Sequence, residues 1–247
     1  MISNFIQACS SVDELGCITD KAHGPMVAFA PLGMTARMQE ATSTWHPHLF
    51  TQQAFAIRGA QGGLFTIEGF HKDPSRGPRD ELSEKLYRRL PGSPQRTALA
   101  ELLTDRFTRL ASQWNTRVLH LEMRGNAYAR ERLPPGQKQR AHIDHTSKYV
   151  AIAYLANQSA LFAHPQTYVG VSPLRYVHEQ TQIHRVEYPM TAEMQAGLQQ
   201  LPAGSLGTWR GGDYQRDRPA VHLIPEFTGA RPIVLAEASH NSLPALG

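Results

Sequence analysis

The sequence has few of the features that mark secreted, disulfide-stabilised or membrane-spanning proteins. Its two cysteines, Cys9 and Cys17, are too few for a disulfide framework and do not form a Cys-x-x-Cys metal-binding pair. The first residues lack the charged and apolar regions of a signal peptide, and no apolar run approaches the length of a membrane span. We therefore expect a cytoplasmic protein with no membrane-embedded part.

Strong charge of either sign, internal repeats and low-complexity segments are absent as well. The formal net charge is +4, and such a mild basic excess usually reflects a solvated surface, so nucleic-acid binding is not expected. With 247 residues, of which 41% are hydrophobic, the chain can bury one sizeable core. We expect a single domain over residues 1–247. The sequence does not indicate an oligomeric state.

A histidine and a carboxylate two positions apart stand in the second half of the chain. His142 and Asp144 precede a strand-like segment, 149–155. In a β-strand, residues i and i+2 point to the same face, so both side chains can reach one point in space. Two imidazoles and one carboxylate form the facial triad of non-heme Fe(II) oxygenases, which leaves positions on the metal open. His222, in a later strand-like segment, is the best candidate for the second imidazole.

Two other histidines also stand two positions before an acidic residue. His71 and Asp73 run directly into a proline-rich loop that supplies no following strand. His120 and Glu122 lie in an alternating segment that is typical of a half-buried strand, where we expect them on a solvated face. Neither pair is followed by a matching downstream half, so the pair at His142 is preferred.

Short apolar segments separated by Gly and Pro turns surround His142 and His222, which favours an antiparallel jelly roll or barrel. The predicted strand segments are 116–123, 149–155, 201–209, 220–224 and 231–236. A long helix is predicted upstream of them, because apolar residues recur at three- and four-residue spacing. Those residues are Leu99, Leu102, Leu103, Phe107, Leu110 and Trp114.

With these residues in this order, the chain resembles the Fe(II)/2-oxoglutarate-dependent dioxygenases over roughly residues 116–237. In that family a His-x-Asp pair lies early in a double-stranded β-helix and a distal His lies late, as His142, Asp144 and His222 do here. A basic residue beyond the distal His binds the far carboxylate of 2-oxoglutarate. Arg231, nine residues after His222, matches that residue.

The resemblance implies further assignments. Tyr154, and less closely Tyr128, resemble tyrosines that donate to the same carboxylate in prolyl-hydroxylase-type members. The implied fold is mainly β with flanking α: a double-stranded β-helix, or jelly roll, in residues 116–240. An N-terminal helical and strand region, residues 1–115, would buttress its larger sheet.

The implied activity is that of an oxidoreductase, a dioxygenase that hydroxylates a C–H bond of a small molecule. Fe(II) would be the metal, 2-oxoglutarate and O₂ the co-substrates. The sequence does not identify the substrate. Four arginines near the expected mouth of the site favour a carboxylate-bearing molecule; they are Arg175, Arg210, Arg216 and Arg218.

Turn residues between His222 and Arg231, among them Pro225 and Gly229, indicate that the chain reverses there. We therefore expect Arg231 at the start of the next strand, beside the strand that carries His222. Two other functions stay open at this point. One is a cupin-type metalloenzyme that uses the same ligands without 2-oxoglutarate, and the other is a non-catalytic jelly-roll binding module.

Overall fold

The computed structural model of the chain describes residues 5–43, 53–59, 65–70, 94–114, 118–124, 141–155, 159–177, 184–212, 218–224 and 233–239. Two β-sheets account for most of its regular structure, which confirms the prediction of a mainly β fold with flanking helices. Within these ranges, no helix is both long enough and apolar enough to cross a membrane.

The strands are β1 (Ile6–Ala8), β2 (Val27–Pro31), β3 (Gln53–Gly59), β4 (Phe65–Phe70), β5 (Val118–Arg124), β6 (Ala141–His142), β7 (Ser147–Tyr154), β8 (Leu161–Phe162), β9 (Leu174–Val177), β10 (His184–Tyr188), β11 (Gln199–Gln200), β12 (Ser205–Arg210), β13 (His222–Leu223) and β14 (Ile233–Ser239). The α-helices are Ala36–Ser43, Pro94–Gln113 and Ala192–Ala196. Two 3-10 helices span Val12–Thr19 and Pro165–Thr167.

The strand order is β1-β2-β12-β7-β14-β5-β3-β4 in the eight-stranded sheet and β11-β8-β13-β6-β10-β9 in the six-stranded sheet. Eight of these strands pair in a nested way. The outermost pair is β5 with β14, followed inward by β6 with β13, β7 with β12, and β8 with β11, all antiparallel. Because successive pairs alternate between the two sheets, the arrangement is consistent with a β-sandwich of the jelly-roll kind.

β13 and β14 lie in different sheets, so the expectation that the strand after His222 runs beside it is wrong. β13 pairs with β6 and β8, whereas β14 pairs with β5 and β7. The physical reason is that β14 has seven residues, whose backbone hydrogen-bonding groups are matched along its length by β5 and β7, of seven and eight residues, whereas β13 has only two. Arg231 and Tyr128 themselves lie outside the described residues.

The long helix Pro94–Gln113 covers the outer face of the eight-stranded sheet. Small residues of the central strands, such as Ala151 and Ala153 in β7 and Ala236 in β14, face it and let the helix approach closely. The alternate residues of the same strands, such as Tyr154, point to the other sheet. The helix and the residue that follows it contribute a buried apolar stripe to this contact: Leu99, Leu103, Phe107, Leu110, Ala111 and Trp114.

The six-stranded sheet also has two distinct faces. Its outer face carries Val221 and Tyr188, which pack under the short helix Ala192–Ala196 through Met194. Its inner face carries Phe162 of β8, whose ring lies 5.2 Å from that of Trp209 in β12 of the other sheet. The inner faces of the two sheets therefore pack against each other, and the polar residues considered next lie in that interior.

Candidate metal centre

Three polar side chains meet on the inner face of the six-stranded sheet. His142 ends β6, Asp144 follows two residues later, and His222 begins β13 directly opposite His142. Residues opposite each other on paired strands share a face, and the two imidazole centroids lie 4.4 Å apart. One potential ligand atom from each of the three residues lies within 4.8 Å of the other two. The structure thus brings together the three residues that the sequence analysis selected.

The His222 ring is buried and its orientation is fixed by a backbone carbonyl. Its Nδ1 lies 3.2 Å from the carbonyl oxygen of Ala220. A carbonyl only accepts hydrogen bonds, so in the neutral ring Nδ1 carries the proton and Nε2 keeps its lone pair. Nε2 lies 3.5 Å from Oδ2 of Asp144. The nitrogen that can bind a metal is therefore the one that faces the other candidate ligands.

The carboxylate of Asp144 is held by a residue of the opposite sheet. The indole Nε1–H of Trp209 donates to Oδ2 of Asp144 at 2.9 Å. Trp209 is only 1% exposed, and a carboxylate that accepts this bond still has acceptor positions for a cation. This contact was not predicted from the sequence. The available signal was that a buried tryptophan N–H usually needs a partner, but nothing in the sequence pointed to Asp144.

The backbone after Asp144 is tied to the end of β12. The carbonyl oxygen of Asp144 accepts hydrogen bonds from the backbone N–H of Gly212 at 2.9 Å and of Ser147 at 3.3 Å. A Cβ at Gly211 would lie 2.4 Å from that same oxygen and 2.2 Å from the carbonyl oxygen of Ser147. Only glycine allows this close approach. The Gly-Gly pair after a predicted strand was the sequence signal for it.

Aromatic rings surround the His222 imidazole. The centroids of Trp209 and Phe162 lie 5.1 Å and 5.7 Å from it. These rings keep water from one side of the site, which strengthens electrostatic interactions there. With two neutral imidazoles and one carboxylate, the site carries one negative charge and suits a divalent cation with nitrogen and oxygen ligands.

Tyr154 lies at the end of β7, fully buried in the interior between the sheets. It belongs to the same apolar cluster as Phe162 and Trp209, and it lies opposite Ile233 of β14. Its ring is therefore on the same side of the eight-stranded sheet as the residues around His222. Its proposed contact with 2-oxoglutarate stays a prediction.

The side chains of the two rejected His-x-acid pairs lie outside the described part of the structure. His71 and Asp73 lie outside the described residues. His120 and Glu122 lie in β5 of the eight-stranded sheet, and the structure describes their backbone but not their side chains. The expectation of a solvated face for them stays a prediction.

Arg210 does not line the mouth of the site, so the prediction that it lies there is wrong. It is 1% exposed, and its Nη2 donates to the carbonyl oxygens of Gly24 and Pro25 at 2.7 Å and 2.6 Å. Burial lowers the pKa of its guanidinium, and the neighbouring charge of Arg218 lowers it further. Arg210 links the segment before β2 to the end of β12 through these hydrogen bonds. Because its guanidinium is buried there, it is not available to bind a substrate.

Of the other three arginines, Arg175 is also placed away from the site. Arg175 in β9 lies opposite Val186, whose side chain packs on the outer face of the six-stranded sheet, away from His142. Arg218 is exposed and donates from Nη1 to the carbonyl oxygen of Lys21. Arg216 lies outside the described residues.

No family model matches the chain, and no curated protein matches it in sequence. Several solved structures are similar to it over most of their length, and three of them are named here. A Pseudomonas putida prolyl-4-hydroxylase is 10% identical, with 91% of this chain and 93% of that chain covered and a TM-score of 0.39. A rice dioxygenase for auxin oxidation is 10% identical, with 92% of this chain and 76% of that chain covered and a TM-score of 0.37. A full-length Neurospora crassa protein in complex with alpha-KG is 8% identical, with 92% of this chain and 80% of that chain covered and a TM-score of 0.35. All three TM-scores lie below 0.5, so no functional conclusion rests on these similarities.

Proposed function

We propose that this protein is an Fe(II)- and 2-oxoglutarate-dependent oxygenase that hydroxylates a C–H bond of a small molecule. The observation that supports this most is the meeting of His142, Asp144 and His222, with one potential ligand atom from each within 4.8 Å of the others. Two imidazoles and one carboxylate are the donor set that non-heme Fe(II) oxygenases use, with open positions for a co-substrate and O₂.

The proposal includes the architecture that positions these residues. We propose that residues 116–240 form a double-stranded β-helix, that residues 1–115 buttress its larger sheet, and that the whole chain is one domain. The nested pairing of eight strands supports the first part. The contact of the long helix with the outer face of the eight-stranded sheet supports the second.

Each residue of the site has a defined role in this proposal. His142, Asp144 and His222 would hold the metal, and Trp209 would keep the Asp144 carboxylate in one orientation through its 2.9 Å hydrogen bond. The Ala220 carbonyl keeps the proton of His222 on Nδ1, so that Nε2 remains a ligand. Bound Fe(II) would supply the oxidation of the C–H bond by O₂, with 2-oxoglutarate converted to succinate and CO₂.

We propose that Arg231 binds the remote carboxylate of 2-oxoglutarate and that Tyr154 donates to it. An arginine suits this role because its planar guanidinium can bind a carboxylate through two hydrogen bonds and stays charged. Support comes from Ile233, which lies opposite Tyr154 in the interior between the sheets. In a continuous strand, positions 231 and 233 would share a face.

Anaerobic titration with Fe(II), with and without 2-oxoglutarate, tests the metal centre. We expect a weak visible charge-transfer band only when both are present. In the His222→Ala protein the band and the bound iron should be lost, while circular dichroism stays unchanged. His120→Ala removes a histidine from the other sheet and is the matched control, which should bind iron normally. Normal iron stoichiometry in His222→Ala would contradict the assignment.

Arg231→Ala tests the co-substrate. Removal of one partner of a buried charged pair costs about 3–5 kcal/mol. At about 1.4 kcal/mol per tenfold, 2-oxoglutarate should bind about two to three and a half orders of magnitude more weakly. Arg231→Lys should restore only part of the loss, and Tyr154→Phe should cost about 1 kcal/mol. Iron affinity should not change in any of them, because neither residue is a ligand.

The same experiments separate the other two functions. Wild-type binding of 2-oxoglutarate by Arg231→Ala would favour a cupin-type metalloenzyme that does not use this co-substrate. Failure of the wild-type protein to bind any divalent metal would favour a non-catalytic binding module.

A further inference from the structure

The two cysteines of the chain are neighbours in the fold. Cys9 directly follows β1, and its backbone N–H donates to the carbonyl oxygen of Phe29 in β2 at 2.8 Å. Cys17 lies near the end of the 3-10 helix Val12–Thr19. Both are free thiols, and their side chains are in hydrogen-bonding contact with each other. The fold therefore brings the only two thiols of the chain together at one point.

The short segment between the two cysteines is held by its own hydrogen bonds. The carboxylate of Glu14 accepts from the backbone N–H of Ser10 at 3.0 Å and from the Ser10 hydroxyl at 2.6 Å. The carbonyl oxygen of Glu14 lies 3.8 Å from Sγ of Cys9. Because folding has already ordered this segment, the two thiols stay together without a further loss of chain entropy. A bond between them is then favoured over reaction with a thiol of another molecule.

The two thiols differ in their access to solvent. Cys9 is 6% exposed and belongs to the apolar cluster between the long helix and the eight-stranded sheet, whereas Cys17 is half-buried at the border of that cluster. Burial raises the pKa of both thiols, that of Cys9 to about 12, and the charge of Glu14 adds to the increase. The hydrogen bond with Cys9 acts in the opposite direction on Cys17 and lowers its pKa. Cys17 is therefore the thiol that a small oxidant reaches and that loses its proton first.

We propose that Cys9 and Cys17 form a modification site at which a peroxide generates an intramolecular disulfide. The Cys17 thiolate attacks one oxygen of hydrogen peroxide, the O–O bond breaks, and Cys17 becomes a sulfenic acid. The hydroxide that leaves takes up the proton that Cys17 lost. The sulfur of Cys9 then forms the S–S bond and displaces water from Cys17. In total, two thiols and one peroxide give one disulfide and two molecules of water, and each sulfur loses one electron.

The disulfide would connect two parts of the N-terminal region that are anchored separately. Gln113 of the long helix holds the 3-10 helix, because its Nε2 donates to the carbonyl oxygen of Val12 at 2.8 Å and its Oε1 accepts from the N–H of Gly16 at 2.5 Å. Cys9 is anchored to β2 instead. A bond between Cys9 and Cys17 stabilises the fold because it restricts the unfolded chain. The cluster that contains Cys9 lies on the outer face of the eight-stranded sheet, away from the candidate metal centre, so metal affinity should not change.

Treatment of the metal-free protein with hydrogen peroxide tests the site. Thiols are counted with DTNB in denaturant, and peptide mass spectrometry identifies the bond. We expect both thiols to be lost together, with a decrease in mass of two hydrogen atoms and no covalent dimer. The midpoint of thermal unfolding should rise by about 5–10 °C, and dithiothreitol should reverse this change. Since the thiolate is the reacting species, the rate should rise about tenfold from pH 7 to pH 8.

Single variants separate the roles of the two cysteines. Cys9→Ser leaves the accessible thiol, which peroxide should convert to a sulfenic acid that dimedone traps, with no increase in the unfolding midpoint. Cys17→Ser leaves the buried thiol, which should react at least about tenfold more slowly. If Cys9→Ser does not fold, Cys9→Ala takes its place, because it keeps an apolar side chain in the cluster.

Four results would overturn the inference. Peroxide could leave both thiols of the wild type intact, produce a covalent dimer, or oxidise Cys17 beyond the sulfenic acid while Cys9 stays reduced. The fourth is an intramolecular disulfide that lowers the unfolding midpoint. None of these measurements needs a bound metal or a co-substrate, so their outcome is independent of the function proposed above.

Discussion

The two sheets differ in strand length and in the residues on their faces. In the eight-stranded sheet, β7, β12 and β14 span eight, six and seven residues, whereas β6 and β13 of the six-stranded sheet span two each. The long strands carry small apolar residues against the helix, and the short strands carry His142 and His222. Long paired strands fix the framework, and short strands opposite them hold the polar side chains of the site. Substitutions in the long strands and the helix that covers them should lower the stability of the fold, and substitutions at the site on the short strands should weaken metal binding.

The largest expected effect is on the framework. Phe107 of the long helix is fully buried against the eight-stranded sheet. Phe107→Ala removes a ring from this contact and should lower the free energy of unfolding by about 3–5 kcal/mol. Denaturant unfolding measures this loss. Metal affinity, measured where the variant is still folded, should stay at the wild-type value. A folded Phe107→Ala protein with weakened metal binding would break the distinction between the two sheets.

An intermediate effect is expected where the sheets touch. Trp209→Phe keeps an aromatic ring in β12 but removes the hydrogen bond to Oδ2 of Asp144. Loss of a hydrogen bond to a metal ligand typically lowers metal affinity about 10- to 100-fold. Competition with a metal-sensitive dye would measure it. A loss of metal affinity in Trp209→Phe would show that a residue of the eight-stranded sheet controls metal binding at the six-stranded sheet.

Trp114→Phe is the matched control for Trp209→Phe. Trp114 is buried just after the end of the long helix, on the outer face of the same sheet, and its Nε1 has no hydrogen-bond partner in the described part of the chain. The same substitution there should leave metal affinity unchanged. Equal losses in both variants would show that ring size, rather than the hydrogen bond to Asp144, determines affinity.

The smallest effect is expected on the solvent side of the long helix. Arg109 forms ion pairs with Asp13 and Asp105, and all three side chains are substantially exposed. Exposed ion pairs contribute little because water and salt screen them. Arg109→Gln should leave both the denaturant midpoint and the metal affinity near their wild-type values at physiological salt. A marked loss of stability would mean that the covering helix depends on this contact.

Much of the candidate site was predictable because its signals are local. The spacing of His142 and Asp144 places both on one face of a strand, and the strand-like surroundings distinguished them from the two similar pairs. The long helix was predictable from its apolar spacing, and it spans Pro94–Gln113. These features depend only on residues close together in the sequence, so they can be recognised without knowing where the segment lies in the fold.

The features that sequence reasoning missed depend on which segments meet in space. Trp209 reaches Asp144 across the interior between the sheets, and Arg210 finds its carbonyl partners just before the start of β2. β14 pairs with β5 and β7 rather than with β13, and the turn residues before it do not encode which strand it joins. The register that places Glu187 opposite His142 is of the same kind, because β10 and β6 are distant in sequence.

The nested pairing of strands has a consequence for how the molecule forms. The innermost pair, β8 with β11, is the closest in sequence, while β6 and β13 bring together His142 and His222, which are eighty positions apart. Long-range pairing is slow, since chain entropy is lost before the contacts form. We therefore expect the two imidazoles to come together late in folding. During synthesis this cannot happen before β13 has left the ribosome. Acquisition of metal by a nascent or refolding chain should thus mark the completion of folding rather than its nucleation.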